Sequence, residues 1–298
     1  MFGRVASHEN EVVFHSRRGR FGGSHVIKIS KTRSEFDCGY ACADEPECVS
    51  VNFKVKGENE GLCELNSRSL KESPEEVQSD EEYVYLEVLT RSCDENEEFS
   101  EGEFYDVFCH MTDIEACGKG GWTLVMKLDG NKNTFIYGSS LWTNNETHAI
   151  QDGLEGLTEK ESKLASYWNT PFTKICLGMS YNGDKRWMTF KYTASSLYSV
   201  LADGQFRATT ASRTAWKSLI AGSSLQRNCN KEGFNVLRVY DYKLRIGIVA
   251  NEQNDCNSCD SWLGFGTTVN GKTCGNFAVH SPDNGDKDLV TFAYILVQ

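Results

Sequence analysis

Apolar and polar positions alternate cleanly at several places along the chain. In "CVSVNFKV", Val49, Val51 and Phe53 fall on one side and Ser50 and Asn52 on the other. That is the period of a half-buried strand. "GLCELN" and "YVYLEVL" predict two more strands in the first third. Between them and the N-terminus, Ser34 with Asp37 three residues on has the form of a short capping box. The helix it starts places Cys38 and Cys42, four apart, on one face before Pro46 stops it. Cys48 opens the following strand and Cys63 lies in the next. One helix face offering two sulfurs to two neighbouring strands makes a stapled helix-on-sheet module. Each bridge would contribute about 2–4 kcal/mol, which matters in a domain this small.

Further on, "FYDVFC" predicts an aromatic-rich strand ending in Cys109. After a polar turn, Gly120 and Gly121 free the backbone before a strand in which Trp122, Leu124, Met126 and Leu128 alternate with Thr123, Val125 and Lys127. "LRIGIVAN" and the terminal "LVTFAYILVQ" are continuous apolar runs and predict buried central strands. "EKESKLASYW" has an amphipathic helical pattern, and "TAWKSLIAG" ends as helices do, with Gly222 after its last apolar residues. Irregular alternation of strands, short helices and glycine turns points to an α+β domain with long loops.

At 298 residues the chain has room for two domains. A net charge of −11 argues against nucleic acid, which needs a basic face. No run approaches the roughly 18 apolar residues of a membrane span. The acidic stretch from Lys71 to Glu103 reads as a solvated loop and linker, with a cation-attracting face as the alternative. Twelve clustered cysteines point to disulfides and an oxidising compartment. The first residues lack the apolar run of a secretory leader, so either a leader has been removed or the start of the chain is incomplete. "RRGR" at Arg17–Arg20 is a processing site or, more simply, a group of surface arginines before a first strand. The sequon Asn145-Glu146-Thr147 fits a glycosylated surface loop.

From His25 to Leu89, "HVIKISKTRSEFDCGYACADEPECVSVNFKV" and "GLCELN" resemble the PAN/apple domain, with its C-x3-C helix and two strand cysteines. The resemblance implies the pairs Cys38–Cys63 and Cys42–Cys48, and an adhesion module that binds protein or carbohydrate. No cysteine precedes Cys38, so the third bridge of an apple domain proper is missing and the simpler PAN form fits. "FYDVFCHMT" followed by "GKGGWTLVMKLDG" resembles the start of the fibrinogen-like domain, which implies a Cys93–Cys109 bridge. The segment "RIGIVANEQNDCNSCDSWLGFG" with "CGNF" is more similar to the intelectins, and Gly120 to Gln298 is similar to skeletal organic matrix proteins of corals.

Intelectins bind glycans through calcium, and chelating a sugar diol needs a hard cation with oxygen ligands and open positions. Carried onto this sequence, Asn257 matches a ligand position and Asn276 an acidic one, while the family's glutamate and histidine fall on Cys259 and Asp260. The family's aromatic walls fall on "SPDNGDK", which has no aromatic, and the D-x-D calcium loop of the fibrinogen and ficolin branch is missing. The resemblance then implies a rebuilt site from Asp255, Asn257, Asp260 and Asp283, with Asp129 and Asn131 near a second cation position. A surface turn rich in Asn and Asp that holds no ligand is the alternative. Cys256, Cys259, Cys274 and His280 would also satisfy tetrahedral zinc, but an oxidising setting favours disulfides. Cys256–Cys274 is then an expected bridge, with the partners of Cys117, Cys176, Cys229 and Cys259 open.

No nucleophile elbow, zinc-protease motif or phosphate loop is present, so catalysis is not expected. The expectation is therefore an α+β chain in three parts: an N-terminal segment (1–11), a PAN/apple domain (12–92) and a larger fibrinogen/intelectin-like domain (93–298). Its expected role is that of a secreted, extracellular adhesion protein and calcium-assisted lectin for glycans or matrix glycoproteins, in a family whose lectins are often homo-oligomers. The alternative is a structural, mineral-associated matrix component without a specific pocket.

Overall fold

The computed structural model describes residues 11–22, 25–45, 47–69, 77–78, 80–88, 105–110, 112–237, 243–267 and 272–298. The chain forms two compact units, Met1–Thr112 and Asp113–Gln298. The expected segment 1–11 lies almost wholly outside the described residues, as do Cys93 and most of the acidic linker.

The first unit has strands β1 (Glu11–Arg18), β2 (Arg20–Phe21), β3 (Val26–Lys31), β4 (Ser50–Lys54), β5 (Leu62–Asn66), β6 (Val77–Gln78), β7 (Tyr83–Val88) and β8 (Tyr105–His110), with helix α1 (Glu35–Ala43). Antiparallel pairing gives the order β8-β1-β7-β4-β5-β3, and β2 pairs with β6 apart from it. Ser34 caps α1, its side chain accepting from Asp37 N at 3.1 Å, as its place three residues before Asp37 predicts. The helix lies on the face formed by Val51, Phe53, Leu65, Val84, Leu86 and Val107. Bridges Cys38–Cys63 and Cys42–Cys48 staple it there, the pairing that the resemblance implied.

The opposite face is polar yet buried, which alternation alone does not foresee. Asn52 binds Phe21 through both its backbone N–H (2.8 Å) and its carbonyl (3.0 Å), and donates to Glu64 at 3.0 Å. Arg20 grips the same Glu64 carboxylate with two nitrogens, at 3.1 and 2.5 Å. "RRGR" therefore runs through the end of β1 into β2, and its last arginine anchors a strap over the sheet. A buried carboxylate is tolerable because a fork-shaped cation and an amide satisfy it.

Strand β8 departs from expectation. It pairs with β1, Val12 opposite Cys109, and so belongs to the first unit, where it was expected to open the second domain. Cys109 is a buried thiol in the core beneath α1, and the other half of the expected Cys93–Cys109 bridge lies outside the described residues. Burial first, and the nearby Glu35 carboxylate second, push its thiol pKa well up.

The second unit has β9 (Trp122–Asp129), β10 (Ser162–Lys163), β11 (Phe172–Tyr181), β12 (Asp184–Ala194), β13 (Arg207–Ala208) and β14 (Asn228–Leu237). Then come β15 (Lys243–Asn251), β16 (Ser261–Thr267), β17 (Cys274–Ala278), β18 (Lys287–Val290) and β19 (Phe292–Val297). Four short helices complete it: α2 (Ile150–Leu154), α3 (Ser166–Asn169), α4 (Leu197–Leu201) and α5 (Arg213–Ser218). One antiparallel sheet runs β12-β11-β19-β9 with β10 beside β9, and a second runs β13 to β18 in chain order. Residues of both sheets, among them Met126, Leu177, Ile248 and Phe265, share one core with Trp142 and Trp216.

Three expectations change here. "LVTFAYILVQ" is not one strand: the chain leaves the six-stranded sheet at Val290 and joins the other at Phe292, with Thr291 at the crossing. "EKESKLASYW" splits into β10 and α3 because Lys163 is drawn inward, its ammonium donating to Asn144 O at 2.8 Å. Lys127, the charged member of the alternation in β9, is fully buried and donates to Asp152 O, Gly156 O and Thr158 Oγ1 at 2.6–2.9 Å. Burial lowers its pKa to about 8. Gly130 ends β9 where a Cβ would lie 2.5 Å from Thr291 O, so only glycine fits beside the crossing.

Glu35, at the start of α1, is buried, and desolvation raises its pKa from 4.5 to about 7 against a small opposing pull from Arg18. Below pH 4.5 the acid is neutral in both states; as pH rises towards 7 only the unfolded chain releases the proton, so stability falls across that window. Glu35→Gln is expected to flatten this slope and to raise stability at pH 8 by on the order of 2 kcal/mol, read from denaturant midpoints across pH.

Candidate functional site

Most residues singled out from the sequence converge on one end of the six-stranded sheet. Register puts Asn228 opposite Asn251 and Ser261 opposite Ala278, so the loop before β14, the β15–β16 loop (252–260) and the β17–β18 loop (279–286) emerge side by side. Gln226 ties the three together. Its Nε2 donates to Glu252 Oε2, Val279 O and His280 O at 2.9–3.2 Å, and its Oε1 accepts from Asp260 N at 3.3 Å. His280 and Ser281 both sit at positive φ, 59° and 60°, a strained conformation for non-glycine residues that these bonds help to hold.

The predicted side chains are placed together but largely engaged. Asp255 caps its own turn, accepting from Asn257 N at 2.9 Å and from Ser258 Oγ at 3.1 Å, and these bonds lower its pKa. Asn257 is exposed in that turn, and Asp260 is half-buried at its end. Asn276 is fully buried on β17, its Oδ1 accepting from Ser224 N and its Nδ2 donating to Ser224 O and Trp262 O at 2.8–2.9 Å. It therefore fastens the loop before β14 to the sheet and presents nothing to solvent. Asp283 clamps the same loop, meeting Arg213 Nη2 at 2.9 Å, Lys217 Nζ and Leu225 N. Burial would raise its carboxyl, but these donors outweigh it and hold the pKa at about 2.

The cysteines differ from expectation in this region. Cys256 bonds Cys229, and the expected Cys256–Cys274 bridge does not form, because Cys274 points into the core between β9 and the Thr291 crossing, where it is a buried thiol. Cys259 is buried, its sulfur 3.6 Å from Cys229 Sγ. With Cys256 oxidised, the four-ligand zinc arrangement is not available. Cys117 bonds Cys176, tying the segment before β9 to β11. Among the described residues, no three His, Cys, Asp or Glu side chains gather into a group that could hold a metal ion.

Asp129 and Asn131 lie elsewhere, on a cleft of about 330 Å³ lined also by Glu159, Ser180, Tyr181 and Thr291. Asp129 Oδ1 accepts from Asn131 N (3.0 Å) and Nδ2 (3.2 Å), while Ser180 Oγ donates to Glu159 Oε1 at 2.6 Å. Thr291 is 3% exposed, and its hydroxyl has no hydrogen-bond partner among the described residues. Gln226, Glu159 and Thr291 escape sequence reasoning. Thr291 hides in an apolar run and Glu159 in a helical pattern; only the polar break at Thr291 within "LVTFAYILVQ" signals anything. Asn145 is exposed in the loop after a 3₁₀ turn at Ser140–Trp142, as a glycosylation acceptor must be.

The model of the PAN domain family matches residues 13–90, within the first unit. No curated protein and no solved structure matches the chain. The disulfides and the PAN domain fit an extracellular protein, and no helix among the described residues is long and apolar enough to cross a membrane.

Ionised Asp283 stabilises the fold above pH 3.8, and that contribution is lost as pH falls towards about 2, because protonation releases its three donors. Asp283→Asn is expected to cost on the order of 2 kcal/mol at pH 7 and to remove this acid-side slope. Urea denaturation across pH 2–7 measures both; an unchanged midpoint at pH 7 would show the clamp to be dispensable.

Proposed function

We propose that this is a secreted adhesion or recognition protein that binds carbohydrate or glycoprotein without catalysing a reaction. The observation that carries the proposal is the PAN match over the stapled first unit, since PAN domains are often extracellular modules for protein or carbohydrate interaction. The bridges of the second unit and its exposed sequon support the same compartment. Resemblance of the second unit to the fibrinogen-like and intelectin-like domains supports carbohydrate as the ligand, and self-association would add avidity. Calcium held by Asp255, Asn257 and Asp260 is one route to the sugar. Direct hydrogen bonding is the other.

A second reading rests on the net charge of −11 and the acids between Lys71 and Glu103. On that reading the protein is a structural matrix component whose association is broad and salt-sensitive.

A glycan array probed with the disulfide-intact protein, in millimolar calcium and again with chelator, separates these. The expected outcome is binding of a defined saccharide that the free sugar competes away. Silence in both buffers would overturn the recognition proposal in favour of the matrix role. Loss of signal with chelator alone would assign calcium to the mechanism, and Asp260→Ala should then abolish binding.

A further inference from the structure

We propose that Lys163 and Asn144 join in an intramolecular isopeptide bond, the lysine amine displacing ammonia from the asparagine side chain with Glu146 as proton carrier. This is a single self-modification of the chain, and it does not depend on which ligand the protein binds.

Position is the first reason. Lys163, in β10, and His148 exchange backbone hydrogen bonds in both directions at 2.9 Å, which fixes the segment 144–148 beside that strand. The Lys163 side chain is fully buried, and its Nζ donates to Asn144 Oδ1 at 3.0 Å and to Asn144 O at 2.8 Å. The electrophilic Cγ of Asn144 lies one bond beyond Oδ1. An amine held this close to a carboxamide gains the advantage of an intramolecular reaction.

The other contacts of the Asn144 side chain are the second reason. Oδ1 also accepts from Glu146 N at 3.3 Å, so a backbone donor is in place for the oxyanion that attack creates. Nδ2, the leaving nitrogen, donates to Glu146 Oε2 at 2.7 Å. A carboxylate at that position can take a proton from the attacking amine and return it to the departing nitrogen. Nucleophile, oxyanion donor and proton carrier thus meet on one carboxamide.

The surroundings of the amine agree with this role. The rings of Tyr167 and Trp168 lie 4.6 and 5.3 Å from Nζ and wall it from water. Burial lowers the Lys163 pKa to about 8 against a smaller opposing pull from Glu146, so part of the amine is neutral and nucleophilic near neutral pH.

The step balances without a co-reactant. The neutral amine forms the Nζ–Cγ bond, the carbonyl electron pair moves onto Oδ1, and Glu146 takes the proton that Nζ loses. The oxyanion then collapses, the Cγ–Nδ2 bond breaks, and Glu146 delivers the proton to the nitrogen that leaves as ammonia. One amine and one carboxamide become one amide and one ammonia, with no change of oxidation state.

The test digests the full chain, unfolded, reduced and deglycosylated, with trypsin and reads the peptides by mass. The expected result is Asn133–Lys160 joined to Glu161–Lys174, lighter than their sum by one ammonia, with no cleavage after Lys163. Lys127 is the internal control: equally buried, it faces two backbone carbonyls and a hydroxyl, and cleavage after it should proceed. Glu146→Gln alters an exposed side chain and should leave the fold intact. It is expected to slow linking about a hundredfold, read from the linked fraction at equal times after synthesis. Asn144→Asp should link with loss of water in place of ammonia. Cleavage after Lys163 in wild type, with both peptides at their sequence masses, would overturn the proposal. Linking of Glu146→Gln at the wild-type rate would overturn the part given to Glu146.

Discussion

The arrangement of the second unit depends on its last strand run having to serve two sheets. Lys287–Val290 completes the six-stranded sheet, and Phe292–Val297 lies between β9 and β11 in the other. A chain can change sheets within one residue only if the neighbouring backbone comes very close, which Gly130 allows by lacking a Cβ. The crossing pins β9 to β19 through Gly130 N and Thr291 O. It also leaves the Thr291 hydroxyl buried without a partner among the described residues. Residues of both sheets share the core behind the crossing.

The first unit solves a different problem. Its sheet is too small to hold a helix by apolar contact alone, so two disulfides fasten α1 to one face and a strap fastens the other. The strap works by polar chemistry, with Asn52 and Glu64 turned towards Phe21 and Arg20. Both faces are thus occupied by the unit's own chain.

Local patterns made much of the first unit legible. The Ser34 cap, the cysteine spacing and the alternation around Val51 and Phe53 all appear as expected, because each depends on neighbours within a few residues. What was not legible depended on distant partners. The strand that ends at Cys109 reads as the opening of the second domain, but it pairs with β1 nearly a hundred residues earlier, a register no local signal encodes. Cys256 has Cys259 and Cys274 nearer than Cys229 in sequence, yet the β14–β15 pairing brings Cys229 to it. Lys127 and Lys163 fall in alternating and amphipathic patterns, and composition cannot show the carbonyls that receive them inside. For the candidate site, sequence located the Asn/Asp loop but not the engagement of Asp283 and Asn276, and it passed over Thr291 altogether.

Hydrogen exchange with and without a saccharide selected on the array tests the recognition reading most directly, since it reports on every segment at once. The account predicts added protection confined to one contiguous group of segments. Unchanged exchange throughout the chain would contradict it.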